Sequence, residues 1–193
     1  MTNFGERVAY WYLRLQGFLP VQDFVLHGDG SIDRTADADL VAVRLTHSKE
    51  EINGESLKPD SALEKQLAAT GRNVALIVQV KTGGETGAGR AFESGRLEYA
   101  IRFLGFAPPG QVGELARGLA DKPSVEFAFD WKIAKLFVAD NPQCADALNV
   151  SLQDALGFIR DRLASYRDTK SRDRIFFPDE LMQFLAWSAG KAA

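Results

Sequence analysis

Apolar positions along the chain follow two spacings. Phe4, Val8, Trp11, Tyr12 and Leu15 recur close to one helical turn apart and predict a helix over 3–16, stopped by Gly17. Asn3 followed by Glu6 has the form of a capping box, which gives Glu6 a structural role from the outset. Pro20 to Leu26 reads as a first strand and His27-Gly28-Asp29-Gly30 as a turn. A second strand runs over 39–45. After it come a polar connector from Thr46 to Pro59 and a short helix, opened by Ser61 and Glu64, with Leu63 and Leu67 on one face. Residues 71–83 hold a third strand, apolar from Val74 to Val78 and bounded by glycines, as a strand buried on both faces requires.

Beyond it, Gly83 to Arg90 is a flexible connector. It lacks the Gly-Lys-Ser/Thr of a phosphate loop and the spacing of a dinucleotide fingerprint. A helix over 91–104 presents Leu97, Ile101 and Leu104, Pro108-Pro109-Gly110 interrupts, and 111–120 forms another helix. Val125, Phe127 and Phe129 alternate as in a half-buried strand, and Ile133 to Val138 supplies one more. Ser151 opens an amphipathic helix carrying Leu152, Ala155, Leu156, Ile159 and Leu163. Pro178 and Asp179 start the last helix, with Leu181, Phe184 and Leu185. This order predicts an α/β fold, a mixed sheet flanked by helices, within a single domain over 1–193.

Polar residues on two of these strands change the picture. Gln79 and Lys81 interrupt the third strand at its exit and, by alternation, project from one face. A cation and an amide on a greasy strand are costly to desolvate without a purpose, although a lysine at a strand end also snorkels into water. Asp37 and Asp39 stand where the second strand starts, and on an isolated strand they would only solvate it. Antiparallel pairing of the two strands brings Asp39 beside Gln79 and Lys81, with opposed Cβ atoms about 4.5–5.5 Å apart. An acid, an amide and a lysine at one open end of a sheet can hold a metal and a phosphate.

Composition narrows the setting. The 193 residues are 46% hydrophobic and 25% charged, which is ordinary for a soluble chain, and no apolar run approaches the roughly 20 residues of a membrane span. Cys144 is the only cysteine, and the N-terminus lacks a basic and then apolar leader, so a cytoplasmic location is expected. A formal charge of −3 argues against a protein that coats nucleic acid but permits a local basic groove.

Gly5-Glu6 in the first helix, Ala38-Asp39-Leu40-Val41-Ala42 in the second strand and Gln79-Val80-Lys81-Thr82 in the third together resemble the PD-(D/E)XK nuclease superfamily. The likeness covers roughly residues 3–105 and is nearest to the Holliday-junction-resolvase-like and Mrr-like branches. It implies a restriction-endonuclease-like αβββαβ core with extra C-terminal helices and Mg²⁺-dependent hydrolysis of DNA phosphodiesters. Mn²⁺ would serve as a substitute, and a homodimer is compatible with the class. On that resemblance Asp39 is the main metal ligand, Glu6 completes the metal site directly or through water, and Lys81 orients the attacking water. Gln79 stands where the superfamily usually has an acid. Its amide oxygen can still coordinate but brings no charge, and Asp37 could restore one. A descendant that has lost catalysis and serves as a binding or scaffold module is the alternative.

Other chemistry is less supported. His27 and His47 lie far apart in polar segments without partners at zinc-ligand spacing, and Cys144 reads as a packed thiol. Arg160, Arg162, Arg167, Lys170, Arg172 and Arg174, with Tyr166 and Phe176 interleaved, form the densest basic segment. Asp161, Asp168 and Asp173 dilute it, so a solvated face is the default and a DNA-tracking surface the sharper reading.

Overall fold

The computed structural model of the chain describes residues 3–24, 38–52, 55–84, 87–128, 130–169 and 179–189. Helix α1 (Phe4–Arg14) is capped by Asn3 in a reciprocal capping box with Glu6, and Gly17 beyond its end takes a φ of 81°. Strands β1 (Leu19–Phe24) and β2 (Ala38–Arg44) follow. The polar connector forms a short ribbon, β3 (Glu51–Ile52) with β4 (Glu55–Ser56), too brief to leave a hydrophobic rhythm. Helix α2 (Ser61–Leu67) starts on a different cap from the one expected. The N-cap is Asp60, which accepts the Ala62 N–H at 2.8 Å and the Tyr12 hydroxyl at 2.7 Å. Two donors converge on that carboxylate, while Glu64 turns to Arg44 at 2.6 Å.

Strand β5 (Asn73–Lys81) is buried along most of its length. A 3-10 turn over Gly89–Phe92 leads into α3 (Ser94–Leu104), and α4 (Pro109–Ala120) begins on Pro109, whose missing N–H costs nothing in a first turn. Next come β6 (Ser124–Phe127), β7 (Trp131–Ala139) and β8 (Leu148–Ser151). Helices α5 (Leu152–Thr169) and α6 (Glu180–Ala189) close the chain. The sequence reading missed β8 because four residues, with Asn149 among them, carry no period. Phe129, the His27–Gly30 turn and Pro178 lie outside the described residues.

The sheet runs β1-β2-β5-β7-β6, with β8 also on β7. Strands β1, β2 and β5 form an antiparallel meander, whereas β5 and β7 are parallel and joined through α3 and α4. The expected α/β architecture, a mixed sheet flanked by helices with two more at the C-terminus, is the one the chain adopts. Side-chain alternation divides the core in two. Val74, Leu76, Val78 and Val80 pack beneath α1, α2, α5 and α6, while Ala75 and Ile77 pack against α3 and α4. Burying both faces explains the nearly unbroken apolar run of β5. The ribbon and α2 lie at the opposite end of β2 and β5 from Asp39.

Candidate functional site at the end of β2 and β5

The register decides where the candidate polar residues fall. Leu40 pairs with Val78, so the next position outward sets Asp39 beside Gln79 as the ladder runs out. Here the Asp39 carboxylate takes over from the backbone. Its Oδ2 accepts the Val80 N–H at 2.6 Å and the Gln79 Nε2 at 2.5 Å. Gln79 is only 5% exposed and Asp39 is half-buried. Charge-assisted hydrogen bonds of this kind are about twice as strong as neutral ones, so the acid fastens two strands and orients the amide. A carboxylate offers about four lone-pair positions in all.

Lys81 follows on the same face of β5 as Gln79 and Ile77, half-buried at the strand's exit. Glu6 approaches from elsewhere. It belongs to α1, which covers the opposite face, and its carboxylate bonds to Asn3, accepting the backbone N–H at 3.1 Å and the side-chain Nδ2 at 2.5 Å. Gly5 brings α1 close to the end of β5: a Cβ there would collide with Thr82 Cγ2 and meet Val80 Cγ1 at 3.0 Å. The structure therefore unites Asp39 and Gln79, adds Lys81 to their face, and holds Glu6 at the same end of the sheet in a capping role. Asp37 lies outside the described residues. Among the described residues, no group of three or more His, Cys, Asp or Glu side chains is arranged to hold a metal.

No protein family, curated protein or solved structure matches this chain.

Two cations escaped the sequence reading. Lys135 is fully buried on β7, where it donates to the Ala120 carbonyl at 2.7 Å and to Asp146 Oδ2 at 2.8 Å and lies 5.4 Å from the Phe92 ring centroid. The only signal was a lysine inside the run Ile133 to Val138, with no indication of its partner. It ties the loop after β7 to the sheet. Arg96, on α3, has a buried Nη1 without a hydrogen-bond partner among the described residues. Glu98 of the same helix lies near Gly113 of α4.

Cys144 behaves as expected of a packed thiol. It lines a cleft of about 360 Å³ with Phe92, Glu93 and Asp146, and burial followed by the hydrogen bond to Asp146 pushes its thiol above the ordinary value. That is the opposite of an activated nucleophile. His47 is exposed, and His27 lies outside the described residues. The basic segment loses a member: Arg162 is buried, donates to the Lys58 carbonyl and stacks 4.9 Å over Phe158, so it cannot track a backbone. Arg160 is exposed. The remaining basic side chains of that segment lie outside the described residues. No helix among the described residues is long and apolar enough to cross a membrane.

Proposed function

We propose that this chain is a PD-(D/E)XK-type nuclease that hydrolyses DNA phosphodiesters at the Asp39, Gln79 and Lys81 end of the sheet. The observation that carries the reading is the direct bond between Asp39 and Gln79, two residues 40 positions apart in sequence, with Lys81 on the same face. The arrangement of an antiparallel meander crossing over helices to a parallel fourth strand agrees with the αβββαβ core of that class. The residues suit Mg²⁺, a hard cation commonly held by one or two carboxylates and completed by water and phosphate. Asp39 and the Gln79 amide oxygen would be its ligands, with Glu6 reaching it through water. One carboxylate and one amide make a weak site that substrate phosphate would complete. Bound there, the metal would polarise the phosphoryl oxygen and acidify a water.

The chain's own groups have separate tasks. Lys81 orients the attacking water and stabilises charge accumulating on the phosphate. The Val80 N–H and the Gln79 amide hold the Asp39 carboxylate in place, so its position needs no reorganisation when substrate arrives.

A catalytically inert binding or scaffold protein is the second reading. It is favoured by the way Gln79 spends its amide on Asp39 while Glu6 is engaged in helix capping. Incubation with linear, branched and single-stranded DNA in Mg²⁺ or Mn²⁺, beside a Lys81→Ala control, decides between them. Cleavage that disappears in Lys81→Ala supports the nuclease. No cleavage of any substrate, together with no metal binding, supports the scaffold.

A further inference from the structure

A second cleft, of about 420 Å³, opens at the same end of the sheet but on the α1 and α5 face. Its size falls within the roughly 300–1,000 Å³ of small-ligand sites. Phe4 supplies an aromatic wall and is 55% exposed despite its large apolar ring. Leu152 and Leu156 on α5 form an apolar floor, and Arg160, one turn beyond Leu156, puts a cation at its rim. Thr82 and Asp140 form the wall nearest the candidate site. Lys81 pairs with Ala139, so these are the next residues along on β5 and β7. Gln153 completes the polar lining.

We infer that this cleft binds one unpaired nucleotide of the strand being cut, with its base against Phe4 and its phosphate at Arg160. The assignment rests on the nucleic-acid reading of the Lys81 site. Three features favour a nucleotide over another ligand. An exposed aromatic ring above an apolar floor suits the π-face of a base. A guanidinium one helical turn away suits a phosphate. The Asp140 carboxylate would repel a phosphate but accepts hydrogen bonds from the amino groups of a base edge, as do the oxygens of Gln153 and Thr82. In a duplex the π-faces are covered by neighbouring bases and the pairing edge by the opposite strand, so only an unpaired nucleotide presents both. Thr82 directly follows Lys81, so a strand crossing the sheet edge passes from the reacting phosphate into the cleft. The chain is thereby selective for single-stranded, frayed or branched substrates.

The test is binding of a fluorescent oligodeoxycytidine, whose bases carry the amino group, and of a duplex of equal length to the full chain, without divalent metal and at one salt concentration. Phe4→Ala should weaken single-strand binding about tenfold and leave duplex binding and the melting temperature unchanged, and Arg160→Ala should weaken single-strand binding about tenfold and duplex binding by less. Phe4→Trp should restore single-strand affinity. Unchanged single-strand affinity in both alanine variants, or an equal loss for duplex, overturns the assignment. If Lys81→Ala still abolishes cleavage in that case, the nuclease reading stands and only the cleft is misassigned. A wild-type chain that binds neither form of DNA overturns the cleft assignment, and cleavage with Mg²⁺ beside the Lys81→Ala control still decides the nuclease reading.

Discussion

Asp39 is asked to do two jobs, and substitution separates them. Its Oδ2 receives two donors, the Val80 N–H and the buried Gln79 amide. Hydrogen bonds to a charged group contribute about 1.5–3 kcal/mol each, and the half-buried setting places these near the lower end. Asp39→Ala leaves both donors unmatched and should cost about 3 kcal/mol. Asp39→Asn keeps a neutral acceptor and should cost about half of that, since charge assistance roughly doubles such bonds. In urea the Asn variant should unfold about 0.5–1 M earlier than wild type. The proposed metal role has a separate signature. Bound as proposed and at ten times its dissociation constant, Mg²⁺ would stabilise the folded state by about 1.4 kcal/mol, an increment the Asn variant should lose. Equilibrium urea unfolding of the three proteins with and without Mg²⁺ measures both quantities. An Asn variant that matches wild type in stability and gains the same increment from Mg²⁺ would refute both roles.

Lys135 and Asp146 offer a test by sign. Asp146→Asn should destabilise by about 2 kcal/mol at neutral pH, less than the 3–5 kcal/mol of a fully buried pair because Asp146 is 47% exposed, whereas Lys135→Met should be close to neutral. The hydrogen bond from Lys135, and then that from Cys144, holds the Asp146 carboxyl below the ordinary carboxylate value. Its contribution is therefore complete above about pH 4 and is lost as pH falls through the folded value, so wild type and Asp146→Asn should converge in acid denaturation series. For Glu6, the Gln variant preserves an acceptor for Asn3 and should change the melting temperature little, while Glu6→Ala loses about 1 kcal/mol of capping. Cleavage rates should fall less for Glu6→Gln than for Asp39→Asn, because the acid on α1 would act only through water.

What the sequence revealed divides along a physical line. Patterns with a period could be read: the spacing of α1, the doubly buried run of β5, and the acid that antiparallel pairing brings against Gln79. Strands too short to show a period could not, which is why the β3–β4 ribbon and β8 were missed. Capping at α2 went to Asp60 rather than Ser61 because Tyr12, 48 residues away in sequence, also donates to that carboxylate. Lys135 was overlooked for a related reason. A lysine within an apolar run gives no hint whether it faces water or a buried acid, and Asp146 becomes its partner only once the loop after β7 folds back. At the candidate site the sequence placed Asp39, Gln79 and Lys81 together, but it could not show that α1 covers the opposite face and holds Glu6 against Asn3. Arg96 depended on the packing of α3 beside α4, which no local pattern encodes.

The way β7 is flanked bears on how this chain avoids its own copies. One edge of β7 is taken by β5, while the other is shared between β6, antiparallel along its first half, and β8, parallel along its second. Two four-residue strands of opposite polarity give an incoming strand no continuous template on that side. Among the described residues the longer rim is β1, where Pro20 removes a donor from the row of main-chain amides. Edge-to-edge polymerisation is thus discouraged at both limits of the sheet, by broken polarity at one and by an imino acid at the other.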